Sequence, residues 1–200
     1  MASNVVLASA SRSRRDLLTH AGVALAGCDA AGIDEAEVKA SLGAEGGSAI
    51  QVAETLAELK ATRVAPRHPG ALIIGGDQML DCEGRWFDKP SDRASAAEQL
   101  LALSGKTHTL ETAVCVVRDG ERLWHHNAVA RMTMRPFGAA FVEGYLDAVG
   151  EAALSSVGGY QLEGRGVQLF SRIDGDFFTV LGLPLLPLLG FLRAQGVVPE

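Results

Sequence analysis

Between a β-branched and apolar run, Asn4 to Ala8, and the helical pattern Leu17, Leu18, Ala21 stands the segment Ser9-Ala10-Ser11-Arg12-Ser13-Arg14-Arg15. A loop that enters a helix points backbone N–H groups outward, and hydroxyls and guanidinium forks beside them can converge on one anion. Phosphate is the ligand that chemistry suits, although a capped helix with an exposed basic first turn accounts for the same residues. Cations at a helix N-terminus oppose the helix dipole, so three arginines there favour the company of an anion. Asp77 follows the apolar run Ala71 to Ile74 and the pair Gly75-Gly76. A carboxylate at the end of a buried strand stands where open α/β sheets place ligands, and it can hold a metal or activate water. Turn hydrogen bonds after two glycines are the plainer use of the same residue.

Asp34 and Glu35 form an acidic pair in a glycine-containing stretch, offering oxygen ligands for Mg²⁺ or acceptors for a nucleobase edge, or simply exposed acids. Lys60 lies on a charged helical face and Lys89 precedes Pro90 in a loop; by local chemistry both read as solvated lysines. Glu163 and Arg165 sit within Gly158 to Gly166, whose four glycines permit close backbone approach to a ligand or build a tight corner. The Gly105-Lys106-Thr107 triplet is not a Walker loop: Leu100 stands where the pattern needs its upstream glycine, and the triplet leads into a strand. His125-His126 is a strand pair facing opposite ways, with neither residue a ligand.

The elements that must position these groups follow from periodicity. Asn4 to Ala8 predicts a strand, Val23 to Ala26 a second, and Asp29 to Gly47 an exposed loop without clear period. Val52, Leu56, Leu59 and Arg63 recur at helical spacing up to Pro66. Ala71 to Ile74 predicts a short strand buried on both faces, delivering Gly75, Gly76 and Asp77 at its end. Ser91 suits the cap of a helix through Leu101; Thr107 to Val117 and Leu123 to Met134 flank the hairpin signal Asp119-Gly120. Pro136 suits the first turn of a helix carrying Phe137, Phe141 and Tyr145. Asp174-Gly175 predicts a second hairpin between Val167 to Ile173 and Phe177 to Leu181, after which Pro184 opens a last helix. Strands and helices interleave without a strict βαβ rhythm, so the expected class is α/β, a mixed twisted sheet flanked by helices.

Two hundred residues, 48% of them hydrophobic, suffice for one core, and a single domain over 1–200 is expected. A formal charge of -6 supplies no net positive field for nucleic acid or an anionic membrane, so an anionic substrate must meet locally placed Arg and Lys. Cys28, Cys82 and Cys115 form neither a CxxC pair nor a zinc spacing, which suggests reduced thiols in the cytoplasm. The N-terminal apolar run precedes its basic cluster, the reverse of a secretory signal. Val180 to Leu192, broken by Pro184 and Pro187, falls short of the roughly 20 residues that span a bilayer.

In order along the chain, LASASRSRRDLL, the acidic IDE at Ile33 to Glu35, LAELKA with Lys60, GGDQML with Asp77, FDKP with Lys89, LSGKTH, YQLEGRG and VLGLPL resemble the Maf family. The resemblance runs from Leu7 to about Leu188 and implies an inosine-triphosphatase-like fold with pyrophosphatase activity on nucleotides. It further implies that Ser11, Arg14 and Arg15 bind the triphosphate, and that Asp77 is the catalytic proton acceptor or a metal ligand. Lys60 and Lys89 would neutralise phosphate charge, and Glu35 and Glu163 would complete the acidic metal and water side around Mg²⁺ or Mn²⁺. Arg12 stands where the family usually has Pro, and Ser13 where some members have the first Arg of a pair. Glu163 replaces the Gln usual in members acting on dTTP and UTP, which resembles the subgroup acting on 7-methylguanosine triphosphate. Family members are often homodimers. A nucleotide-binding regulator of cell division with incidental catalysis is the alternative; a phosphatase releasing orthophosphate lacks its Asp-x-Asp motif.

Overall fold

The computed structural model describes residues 4–199. Val5–Leu7 forms β1, wholly buried, and the chain then enters α1 (Arg12–His20) with Ser11 as its N-cap. β2 (Leu25–Cys28), α2 (Glu35–Ala44) and α3 (Ala49–Val64) precede β3 (Leu72–Cys82) and β4 (Arg85–Phe87). α4 (Arg93–Leu103), β5 (Thr107–Arg118), β6 (Glu121–Met134) and α5 (Ala139–Val149) follow, then β7 (Phe170–Asp174), α6 (Phe177–Val180) and α7 (Leu185–Ala194). The seven strands form one sheet in the order β2-β1-β3-β5-β6-β7, with β4 paired to β3. It is mixed: β1 pairs parallel with β2 and β3, whereas β3–β4 and β6–β7 are antiparallel. This is the α/β class that the interleaved patterns predict.

Two compact units are present. One contains the chain through Gln78, Thr112–Ala128 and the segment from Phe177 onward; the other contains Met79–Glu111 and Val129–Asp176. In the first, alternation along β3 assigns its two faces. Leu72 and Ile74 join Val5, Leu7, Leu18, Leu183, Leu188 and Leu192 in one buried cluster, so α1 and α7 cover that face. Gly75 points the other way, where a Cβ would lie 2.1 Å from the Ala57 carbonyl oxygen of α3. Only a residue without a side chain lets the α3 backbone approach β3 this closely. The β5–β6 turn places Asp119 and Gly120 at φ 50° and 87°, the left-handed pair a two-residue hairpin requires, and Asp119 Oδ1 accepts from Gly70 N at 2.7 Å.

In the second unit, His108 is 1% exposed and shares a 2.7 Å hydrogen bond between Nε2 and the Tyr160 hydroxyl, with Phe170 packed against both rings. Its Nδ1 has no partner. Burial without a compensating charge pushes the imidazole down to about 4, so it stays neutral in the fold.

Several expectations are corrected. The stretch from Asp29 to Gly47 is not all loop: α2 occupies its middle, capped by Asp34, and buries no residue, so no apolar stripe marked it. β2 lies two residues later than expected because Val23 N closes the end of α1 on Leu18 O. β3 continues well past Ile74, so Asp77 is inside a strand, not beyond one. Asp92, not Ser91, caps α4, its carboxylate accepting from Ser95 N. Pro136 and Phe137 precede α5, whose N-cap is Gly138; Ser104 holds both backbone groups of Phe137 outside the helix. No second hairpin forms at Asp174-Gly175: residues 165–169 make a 3-10 turn, β7 pairs with β6, and Phe177–Val180 is helical. A Cβ on Gly175 would sit 2.7 Å from that of Ala130, which explains the glycine without a turn between strands. Among the described residues no helix is long and apolar enough to cross a membrane, and Leu185, Leu188 and Leu192 of α7 are core.

Two measurements follow from this packing. Gly75→Ala forces α3 off the sheet and is expected to cost on the order of 3 kcal/mol in urea unfolding, whereas Gly76→Ala, whose nearest obstacle is an arginine side chain at 3.4 Å, costs far less. Equal losses would mean the Ala57 contact does not govern. Because the folded His108 pKa lies below the ordinary 6.5, its contribution to stability is complete above that value. It is lost as pH falls through the window between the two, up to about 3 kcal/mol. His108→Gln, which can still partner Tyr160 but does not titrate, should flatten the fall in urea stability between pH 7 and 4.5; an unchanged slope would assign that fall to other groups.

Candidate active site

β1 stops at Leu7, paired with Ile74, and Ala8 N makes the last bond to Ile74 O before the chain turns toward α1. Beyond Ile74, β3 therefore runs on without its parallel neighbour, and Asp77 occupies the opening at the carboxyl end of the parallel strands. This is the position where open sheets bind ligands. Asp77 lies on the Gly75 face, two residues along the strand, and Lys60 lies one helical turn beyond Ala57. The close approach at Gly75 thus brings their side chains together: Lys60 Nζ is 2.6 Å from Asp77 Oδ1. The same ammonium is 2.7 Å from Glu35 Oε1. Both Lys60 and Asp77 are nearly buried, their side chains 10% and 7% exposed, while that of Glu35 is 44% exposed.

Glu35 reaches this point because it is the first residue of α2, not a loop residue; Asp34 turns back to accept from Glu37 N at 3.0 Å and takes no part. Partial burial raises the Glu35 carboxyl, but the Lys60 hydrogen bond and charge, with Lys39 and Arg14, outweigh it and hold the group below its ordinary range. Lys60, expected on a solvated helical face, is in fact the central cation of the cluster, and its neighbours Ala57, Ala61 and Val64 are buried with it.

The Ser9 to Arg15 segment divides its arginines. Arg14 is 9% exposed; its Nε donates to Gly182 O at 2.7 Å and its Nη1 to Ser9 Oγ at 3.4 Å. Gly76 and Gly182 make room: a Cβ on either would come within 3.4 Å of the guanidinium, and Gly182 has φ +92°. Burial lowers the Arg14 pKa, and the charges of Asp77 and Glu35 counter it. Arg12 and Arg15 stay exposed, each against Asp16. Arg12 is the first residue of α1, a position that also accepts Pro. Ser11 Oγ accepts from Arg14 N at 3.4 Å, so its O–H remains available to donate to an anion at the helix end.

Glu35, Lys60, Asp77, Ser11 and Arg14 thus gather in one unit of the chain. Lys89, exposed after β4, and Glu163, exposed before the 165–169 turn, belong to the other unit. Ser9 begins the segment expected to meet an anion and accepts from Arg14; Gly182 lies in the VLGLPL block, whose glycine is the sequence signal for it. Nothing in the sequence pattern marks the role of Gln78. On the face opposite Asp77, its Nε2 donates to Thr112 Oγ1 at 2.8 Å and to Thr179 O at 2.9 Å, tying α6 to the sheet. Among the described residues no three His, Cys, Asp or Glu side chains converge as a metal cage. The pair Glu35 and Asp77, both already oriented on one cationic atom, supplies two hard oxygens. That set fits Mg²⁺ or Mn²⁺, which commonly take one or two carboxylates and complete their shell with water and substrate phosphate.

The chain is 58% identical over 191 residues to the nucleoside triphosphate pyrophosphatase of Paramagnetospirillum magneticum, covering 96% of this chain and 98% of that one. It is 54% identical over 194 residues to the protein of the same name from Rhodospirillum rubrum, covering 97% and 96%. With the 7-methyl-GTP pyrophosphatase of Brucella abortus it shares 49% over 198 residues, 99% of both chains. The family model for Maf-like proteins matches residues 4–195, taking in both units. On this match and these relatives, the chain belongs to the Maf-like protein family.

Proposed function

We propose that this chain, acting as one domain, hydrolyses a nucleoside triphosphate to the monophosphate and pyrophosphate. The observation that carries this is the Lys60 ammonium held between Asp77 and Glu35 in the unit that also buries Arg14 behind the α1 N-terminus. The names of the relatives support the same substrate class. Ser11, the α1 N–H groups, Arg14 and Arg15 receive the phosphates. Asp77 accepts a proton from water as its oxygen attacks the α-phosphorus, the α–β anhydride bond breaks, and pyrophosphate leaves with that electron pair. Mg²⁺ or Mn²⁺, held by Glu35 and Asp77, would offset charge on the anhydride. Lys89 adds a cation to the phosphates. Glu163, a carboxylate, accepts hydrogen bonds from a donor-rich base, which favours 7-methylguanosine triphosphate over dTTP and UTP. The cytoplasm is the compartment this implies, where the free thiols Cys28, Cys82 and Cys115 stay reduced.

Incubation with a panel of standard and methylated nucleoside triphosphates and Mg²⁺ or Mn²⁺ should yield pyrophosphate, not orthophosphate, fastest from 7-methyl-GTP. Comparable turnover of dTTP would remove the subgroup assignment, and tight binding without turnover would favour a regulator. Asp77→Asn should lower kcat about 10²- to 10⁴-fold while nucleotide binding stays within a few-fold. Parallel loss of binding would make Asp77 a binding residue only.

A further inference from the structure

Lys60 does not wait for a phosphate. Its Nζ already touches a carboxylate oxygen on each side, at 2.6 Å on Asp77 and 2.7 Å on Glu35. Those are the two carboxylates that the proposed activity assigns to a divalent cation, and the inference below rests on that assignment. Each contact takes one oxygen of its carboxylate, Oδ1 and Oε1, and a divalent cation brought against the same pair meets the ammonium's charge at close range, where like charges in a partly desolvated site repel. The helix that carries Lys60 cannot withdraw, because α3 meets β3 at Gly75 without room for a Cβ, so an ammonium displaced from the carboxylates stays beside them.

We infer that Lys60 is a positioning residue that acts as a built-in counter-cation. It holds Glu35 and Asp77 converged while the site is empty of nucleotide and competes with the divalent cation for their oxygens. The cation gains these oxygens only when it arrives with a triphosphate, whose phosphate oxygens then receive the displaced ammonium. The protein alone therefore binds the metal poorly, and the metal and nucleotide bind with positive coupling.

The inference is tested on the full chain without nucleotide, titrating Mn²⁺ and reading free ion by electron paramagnetic resonance. Lys60→Gln should bind Mn²⁺ about tenfold tighter than the wild type, or bind it where the wild type does not, because removing the competing charge frees both carboxylates. Lys60→Arg, which retains the charge, should remain weak. Equal or weaker Mn²⁺ binding by Lys60→Gln overturns the inference, since a residue serving only the phosphates or the packing would not strengthen it. If Lys60→Gln fails to fold, the exchange is read in the wild type by ¹⁵Nζ lysine NMR. A protected ammonium resonance should be present in the apo protein and shift when Mg²⁺ and a non-hydrolysable triphosphate are added together, but not with Mg²⁺ alone at low millimolar concentration; a resonance indifferent to the pair overturns it. Wild-type pyrophosphate release is measured alongside. With release intact, failure falls on the role of Lys60; without release, it falls on the proposed activity itself.

Discussion

An ammonium and a carboxylate withdrawn together from water are the constraint around which the first unit is arranged. Neither Lys60 nor Asp77 could be buried alone, because an isolated charge in a protein interior loses more solvation than packing returns. Their 2.6 Å contact therefore demands that α3 and β3 be held at a fixed separation. Gly75 fixes it by letting the Ala57 carbonyl sit where a side chain would be. The hydrophobic cluster on the far face, from Val5 to Leu192, presses the sheet flat against that contact from behind. Function and fold thus meet in one glycine, which explains why a one-carbon substitution there should disturb both.

A second consequence concerns unequal strand lengths. β1 gives out at Leu7 while β3 runs to Cys82, so the residues after Ile74 lose their parallel neighbour. Arg14 wedges into that region against Gly76 and hooks the Gly182 carbonyl, linking the start of the chain to a turn 168 residues later. The linkage is expensive to satisfy: a guanidinium so buried has its charge opposed by desolvation and kept by Asp77 and Glu35. Arg14 consequently ties the loop before α1 to the turn at Gly182.

Much of this was legible in the sequence. The strand, loop and helix around Ser9 to Arg15, the α3 helix up to Pro66, the left-handed Asp119-Gly120 turn and the α/β class all follow from local rules that the tertiary structure leaves intact. What local rules missed has physical causes. α2 buries no residue, so its helix carries no apolar stripe, and Glu35 looked like a loop acid. Lys60 sits among Glu54, Glu58 and Arg63, and nothing in a helical pattern distinguishes a lysine that turns inward from three charges that do not. The ordered series of motif blocks carried Lys60 and Glu35 into the site where periodicity could not. Contacts such as Arg14 with Gly182 are visible only once the chain has folded back.

The local charge balance says what kind of ligand the cluster is prepared for. Arg14 and Lys60 are matched by Asp77 and the partly exposed Glu35, so the cluster is neutral in sum even though the chain carries a net charge of -6. A triphosphate brings several negative charges into that surrounding field, and exposed arginines at a helix end, screened by water and salt, offset them only in part. Neutrality of the cluster means that each further charge brought against it needs a partner of its own, because a desolvated charge left alone is costly.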